Sequence, residues 1–146
     1  MVEQKTVKLT GDQIMNAFGQ EKARLESLQR RMASLQALHQ EIFFAIDSLK
    51  AIKKTKKGEQ AMITLGAGIF LDVKIDENTK AKKSLAGNVL VGTKINEIIE
   101  ELDLRETETS NKIEEMNKQQ QAIYANLNSL SQIITKAQQA RAEQNK

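Results

Sequence analysis

The chain has 146 residues, the size of one ordinary domain. Aromatic residues make up 3%, and cysteine, proline and tryptophan are absent, which excludes disulfides and thiolate metal centres and argues against a thick aromatic core. A net charge of +3 is too mild for a dedicated nucleic-acid surface, and no apolar run reaches the roughly 18 residues of a membrane helix. The first residues, Met1–Lys5, lack the apolar stretch of a signal peptide, so a soluble cytoplasmic protein is expected.

The first element is a helix. Thr10 and Gln13 form a capping box, and Leu9 and Ile14 occupy the positions of a hydrophobic staple. Lys50, Lys53, Lys54, Lys56 and Lys57 crowd the far end, where the helix dipole favours cations, and Gly58 follows as a cap. The predicted helix covers residues 10–57, a rod of roughly 65–70 Å. Ile14, Phe18, Leu25, Leu28, Met32, Leu35, Ile42, Ile46 and Leu49 recur at alternating spacings of three and four, with gaps at Glu21 and His39. This is the a/d seam of a coiled coil. Proline would break such a helix, and there is none.

Residues 59–93 change character. Ala61, Ile63 and Leu65 alternate with other residues, as do Ile69, Leu71, Val73 and Ile75, a strand period of two. Gly66-Ala67-Gly68 turns between these runs. Asp76–Thr79 is a second turn signal, and shorter strands are predicted near Ala81–Leu85 and Val89–Val91 around Ala86-Gly87-Asn88. Two hairpins this small are marginal alone, and their open edges invite pairing with other chains. Ile63, Leu65, Ile69, Leu71, Val73, Leu85, Val89 and Val91 are the expected oligomerisation residues.

A second helix is predicted over residues 94–144, with Thr93 as its N-cap and an acidic start at Glu97, Glu100, Glu101 and Asp103. Its seam runs through Ile95, Ile99, Leu102, Ile113, Met116, Ile123, Leu127, Leu130, Ile134 and Ala137, interrupted at Glu106, Thr109 and Gln120. Glu101–Arg105, Glu108–Lys112 and Glu114–Lys118 stand four apart in the favourable orientation, as do Glu26 and Arg30 in the first helix. The expected fold is α+β and mostly helical: a long antiparallel two-helix coiled coil with a central insert of two β-hairpins. If the helices pair, the apolar residues Leu9, Ile14, Met15, Phe18, Leu130, Ile133, Ile134 and Ala137 meet at the free ends, with Val2 and Val7 able to extend the surface. Exposed apolar surface marks interaction sites, and methionine suits promiscuous ones.

The segment Leu65–Phe70, with Gly66 and Gly68 leading into Ile69-Phe70, and the glycine turn Ser84–Val89 are similar to the turns of the α-type prefoldin subunits of archaeal kind. Ala86 stands where that family usually carries a second glycine. The resemblance implies a hexamer of two α with four β-type subunits, with hairpins forming a β-barrel platform. It also implies an ATP-independent chaperone that holds unfolded polypeptides at its coiled-coil tips and delivers them to a group II chaperonin, with no cofactor.

Other features point to little chemistry. Gly87–Lys94 has the glycine spacing of a phosphate loop, but Thr93 and Lys94 are in the wrong order and Val89-Leu90-Val91 reads as a strand. His39, the one histidine, reads as a polar seam residue that sets register. The lysines around 53–57 and 80–83 read as helix-end electrostatics and a protected strand edge. No nucleophile–base pair or metal cluster is visible, so an enzyme is not expected. The remaining alternatives are a structural scaffold or filament and a nucleic-acid-binding coiled coil.

Overall fold

The computed structural model describes residues 10–144. Helix α1 (Gly11–Lys54) is followed by β1 (Gln60–Gly66), β2 (Ile69–Lys74), β3 (Lys80–Ser84), β4 (Leu90–Lys94) and helix α2 (Ile95–Gln144). The mostly helical α+β order is the one predicted. The chain divides into two compact units. One holds the described residues through Leu35 and those from Lys112 onward, and the other is Gln36–Asn111.

In the first unit α1 and α2 pack antiparallel through the predicted seams. Leu28, Met32 and Ile123 are buried together, with Leu25, Met116 and Leu127 packed against them. Gln29 donates from Nε2 to the Tyr124 hydroxyl at 3.3 Å on the flank of this cluster. The start of α1 is fixed by the capping box: Thr10 N donates to Gln13 Oε1 at 2.8 Å, and Gln13 N donates to Thr10 Oγ1 at 3.4 Å. Leu9, the other half of the expected staple, lies outside the described residues.

The second unit buries Ile42, Ile46, Ile95 and Ile98 between its helical segments. Thr109, buried at a seam position, satisfies its hydroxyl by donating to Arg105 O at 2.6 Å. His39 Nε2 and Glu106 Oε1, both seam interruptions, meet at 2.8 Å.

The hairpins form two separate two-stranded antiparallel sheets, β1–β2 and β3–β4, with no closed barrel among the described residues. In the first, Ala61 pairs with Val73 and Ile63 with Leu71 on one face, and Met62 with Asp72 and Thr64 with Phe70 on the other. A bulge between Thr64 and Gly66 takes Leu65 out of the ladder, which corrects the simple alternation expected for it. Ala67 (φ 51°) and Gly68 (φ 78°) are both left-handed, as a two-residue hairpin loop requires.

Three local expectations differ from the structure. Helix α1 ends at Lys54, not 57, because Thr55 folds its hydroxyl back onto Ile52 O and Glu59 bonds the Lys56 amide. Gly58 (φ 85°) instead extends the first hairpin by donating its N–H to Ile75 O at 2.7 Å. Thr93 is no N-cap: it pairs with Ala81 in β4, and the strand runs straight into α2, where Ile95 N donates to Thr79 O at 2.9 Å. Of the expected four-apart ion pairs, Glu114–Lys118 forms at 2.8 Å, while Glu101 bonds Lys83 of β3 instead of Arg105.

Candidate functional site

The first turn of α1 and the last turns of α2 bring five of the predicted tip residues together. Ile14, Met15, Ile133, Ile134 and Ala137 line one groove of about 220 Å³. Met15 is 58% exposed and Ile133 46%, whereas Ile14 and Ile134 are half-buried beneath them. The off-seam residues therefore form the accessible wall and the seam residues the floor. Asp12, Gln138 and Arg141 add a polar rim that the apolar pattern did not reveal. The guanidinium of Arg141 approaches Gly11 closely enough that a Cβ there would lie 3.9 Å from it. Arg141 was visible as a cation in a last helical turn, but its place on this rim depends on pairing with a residue 130 positions away in sequence, Gly11.

Phe18 and Leu130, also predicted for the tip, are half-buried and stand outside this groove. Leu130 lines a separate depression with Ala17, Gln20 and Glu21. Leu9, with Val2 and Val7, falls outside the described residues.

The hairpins present a second apolar surface. Ile63, Leu65, Ile69, Leu71, Leu85, Val89 and Val91 are exposed, and Val73 is half-buried. Each strand also has one unpaired edge, because each sheet has two strands. The first hairpin carries large apolar residues on both faces: Met62 (67% exposed) and Phe70 (57%) stand, beside Thr64 and Asp72, on the face away from Ile63 and Leu71. The prediction named one face only, since a period-of-two reading assigns alternate residues to solvent. Phe43, Phe44 and Leu104 are exposed helical residues that the seam reading also passed over. Their signal was present as large apolar residues at non-seam positions.

The Thr79 hydroxyl and amide hold the Glu77 carboxyl below its usual range in the link between the hairpins. Lys118 likewise lowers Glu114, by hydrogen bond first and charge second. Among the described residues no cluster of three or more histidine or acidic side chains is arranged to hold a metal ion, and no helix is long and apolar enough to cross a membrane.

Comparison with known proteins agrees with this architecture. The prefoldin subunit family model matches residues 22–140. Prefoldin subunit alpha 1 of Methanocaldococcus jannaschii is 36% identical over 123 residues, covering 80% of this chain and 82% of that protein. Prefoldin subunit alpha of Thermofilum pendens is 30% identical over 89 residues, covering 61% of this chain and 69% of the relative. A cryo-electron microscopy structure of filamentous PFD from M. jannaschii shares the fold with a TM-score of 0.63 at 16% identity, covering 79% of this chain and 95% of its own. Two long helices joined by two antiparallel hairpins are thus matched in fold, the family model covers most of the chain, and the chain belongs to the prefoldin family as an α-type chaperone subunit.

Proposed function

We propose that this chain acts as a subunit of an ATP-independent holdase in the cytoplasm, capturing unfolded polypeptides at its coiled-coil tip and passing them to a group II chaperonin. The observation that carries this reading is the groove of Ile14, Met15, Ile133, Ile134 and Ala137, open to solvent at the meeting of two helix ends. A groove of about 220 Å³ accommodates a single large apolar side chain and so binds an unfolded segment weakly. Several such tips on one assembly raise the effective concentration and make capture firm without any one contact being strong. Weak contacts also allow release without a nucleotide, and the reading requires no cofactor and no catalytic step.

Assembly falls to the hairpins. Their exposed apolar residues and open edges suit pairing with β-type subunits, two α with four β, into a closed β-barrel platform that the described residues of one chain do not form. A filament-building scaffold without clients is the second reading, favoured by the filamentous assembly from which the similar chain comes. Two measurements separate them. Native mass determination with a β-type subunit gives a closed hexamer on the first reading and an open series on the second. Light scattering of a chemically unfolded client shows protection by the hexamer that disappears when residues 1–18 and 131–146 are removed. Protection that survives the trimming contradicts capture at the tips.

A further inference from the structure

The unit Gln36–Asn111 carries a basic trough for which tip capture has no use. A depression of about 410 Å³ is lined by Lys53 of α1, Lys80 of β3 and Lys94 of β4, with Asn78, Thr79 and Asn96 between them. A second depression of about 530 Å³ shares Lys53 and Asn96 and adds Lys50 and Lys54, with Glu100 as its acidic lining residue. Five lysines from three elements therefore border two depressions that share Lys53 and Asn96.

The placement is electrostatically unsatisfied. Lys80 and Lys94 are direct cross-strand partners, an arrangement in which like charges weaken a ladder. Lys94 reaches Glu97 at only 3.8 Å. Glu77 feels the charge of Lys80, but its Oε1 is already engaged by the amide and hydroxyl of Thr79. Lys50, Lys53, Lys54 and Lys80 make no ion pair among the described residues. The wall itself is held in place: Asn78 Nδ2 donates to Thr55 O at 2.8 Å, and Ile95 N donates to Thr79 O at 2.9 Å.

We propose that this trough docks an extended, carboxylate-rich polypeptide segment of a partner chain. Charge complementarity selects an anion, and two neighbouring depressions with Lys53 and Asn96 in common suit an elongated one. The lining contains no arginine to grip phosphate in a bidentate fork and no aromatic ring to stack a base. It offers mobile ammonium groups together with the Thr79 hydroxyl and the Asn96 amide, which match carboxylates and a peptide backbone. The proposal is independent of client capture at the tips.

Fluorescence anisotropy of a short labelled peptide of alternating Glu and Ser, titrated with the full-length chain, tests it. Binding is expected at low salt and weakens as ionic strength approaches ~0.15 M. The triple variant Lys53→Ala/Lys80→Ala/Lys94→Ala binds about tenfold more weakly, as loss of three exposed charge pairs implies. The triple Lys→Arg variant retains binding, as does Lys112→Ala/Lys136→Ala in the other unit. If the alanine triple loses helical circular dichroism, the single variants Lys53→Gln and Lys80→Gln carry the test, each weakening binding about two- to threefold. Absence of binding at low salt, unchanged affinity in the Lys53→Ala/Lys80→Ala/Lys94→Ala variant or, where that one misfolds, in the Lys→Gln single variants, or tighter binding of tripolyphosphate or a single-stranded oligonucleotide overturns the proposal.

Discussion

His39 and Glu106 face each other across the two helical segments of their unit, Nε2 to Oε1 at 2.8 Å, at positions where each seam lacks an apolar residue. Two gaps in two separate heptad patterns thus prove to be one polar layer. Their side chains are 30% and 34% exposed, so the pair is neither dry nor free in water. Polar seam contacts of this kind fix register, because any shift places both groups against apolar neighbours.

The pair gives a first prediction. His39→Ala and Glu106→Ala each lower stability by about 1 kcal/mol, and a double-mutant cycle yields a coupling of about 0.5–1.5 kcal/mol. The apolar double variant His39→Leu/Glu106→Leu matches or exceeds the original stability while losing the register signal. Thermal unfolding followed by circular dichroism gives the energies, and a disulfide-trapping scan of helix alignment reads the register.

Packing supplies a second prediction. Ile123 is 2% exposed at the centre of the cluster with Leu28 and Met32, so Ile123→Ala costs about 2–5 kcal/mol. Leu104, at 70% exposure, changes stability by less than about 0.5 kcal/mol when replaced by Ala. Urea unfolding of the two variants distinguishes these magnitudes directly.

A third prediction concerns the first hairpin turn. Ala67 sits at φ 51°, where a side chain crowds its own carbonyl by roughly 1–2 kcal/mol. Glycine removes this strain and adds about 0.5–1 kcal/mol of freedom to the unfolded chain. Ala67→Gly is therefore stabilising by up to about 1 kcal/mol. Ala67→Val is destabilising, and the order of unfolding midpoints Gly, Ala, Val checks the account.

Acid titration gives a fourth. Thr79, through its hydroxyl and its amide, holds the Glu77 carboxyl below its usual value. Its contribution to folding is accordingly present above the ordinary carboxylate range and is lost as pH falls through the lowered value. The amide resonance of Thr79 should titrate with that lowered midpoint, and Glu77→Gln should abolish the titration.

Much of this architecture was legible because it rests on local patterns. Thr10 and Gln13 announced the start of α1, and the three–four spacing of Leu25, Leu28 and Met32 announced the cluster that buries them. Failures arose where a distant residue competed for a local role. Glu101 turns from Arg105, four residues away, to Lys83 of β3. Thr93 is taken from its expected cap by pairing with Ala81. Leu65 leaves its face because a bulge intervenes. At the tip, the apolar residues were readable from helix ends, but the rim formed by Asp12 and Arg141 depends on which ends meet. The second face of the first hairpin was missed because Met62 and Phe70 occupy positions that strand alternation assigns to solvent.

The central claim is that the apolar groove of the first unit holds unfolded polypeptide. Its most direct test is nucleotide-free light scattering of a chemically unfolded client with the complex assembled from this chain and a β-type subunit, carrying Met15→Asp and Ile133→Asp. Both residues are exposed, so helix content and native mass are expected to stay unchanged while protection against aggregation falls sharply. Full protection by the doubly substituted complex would contradict the account.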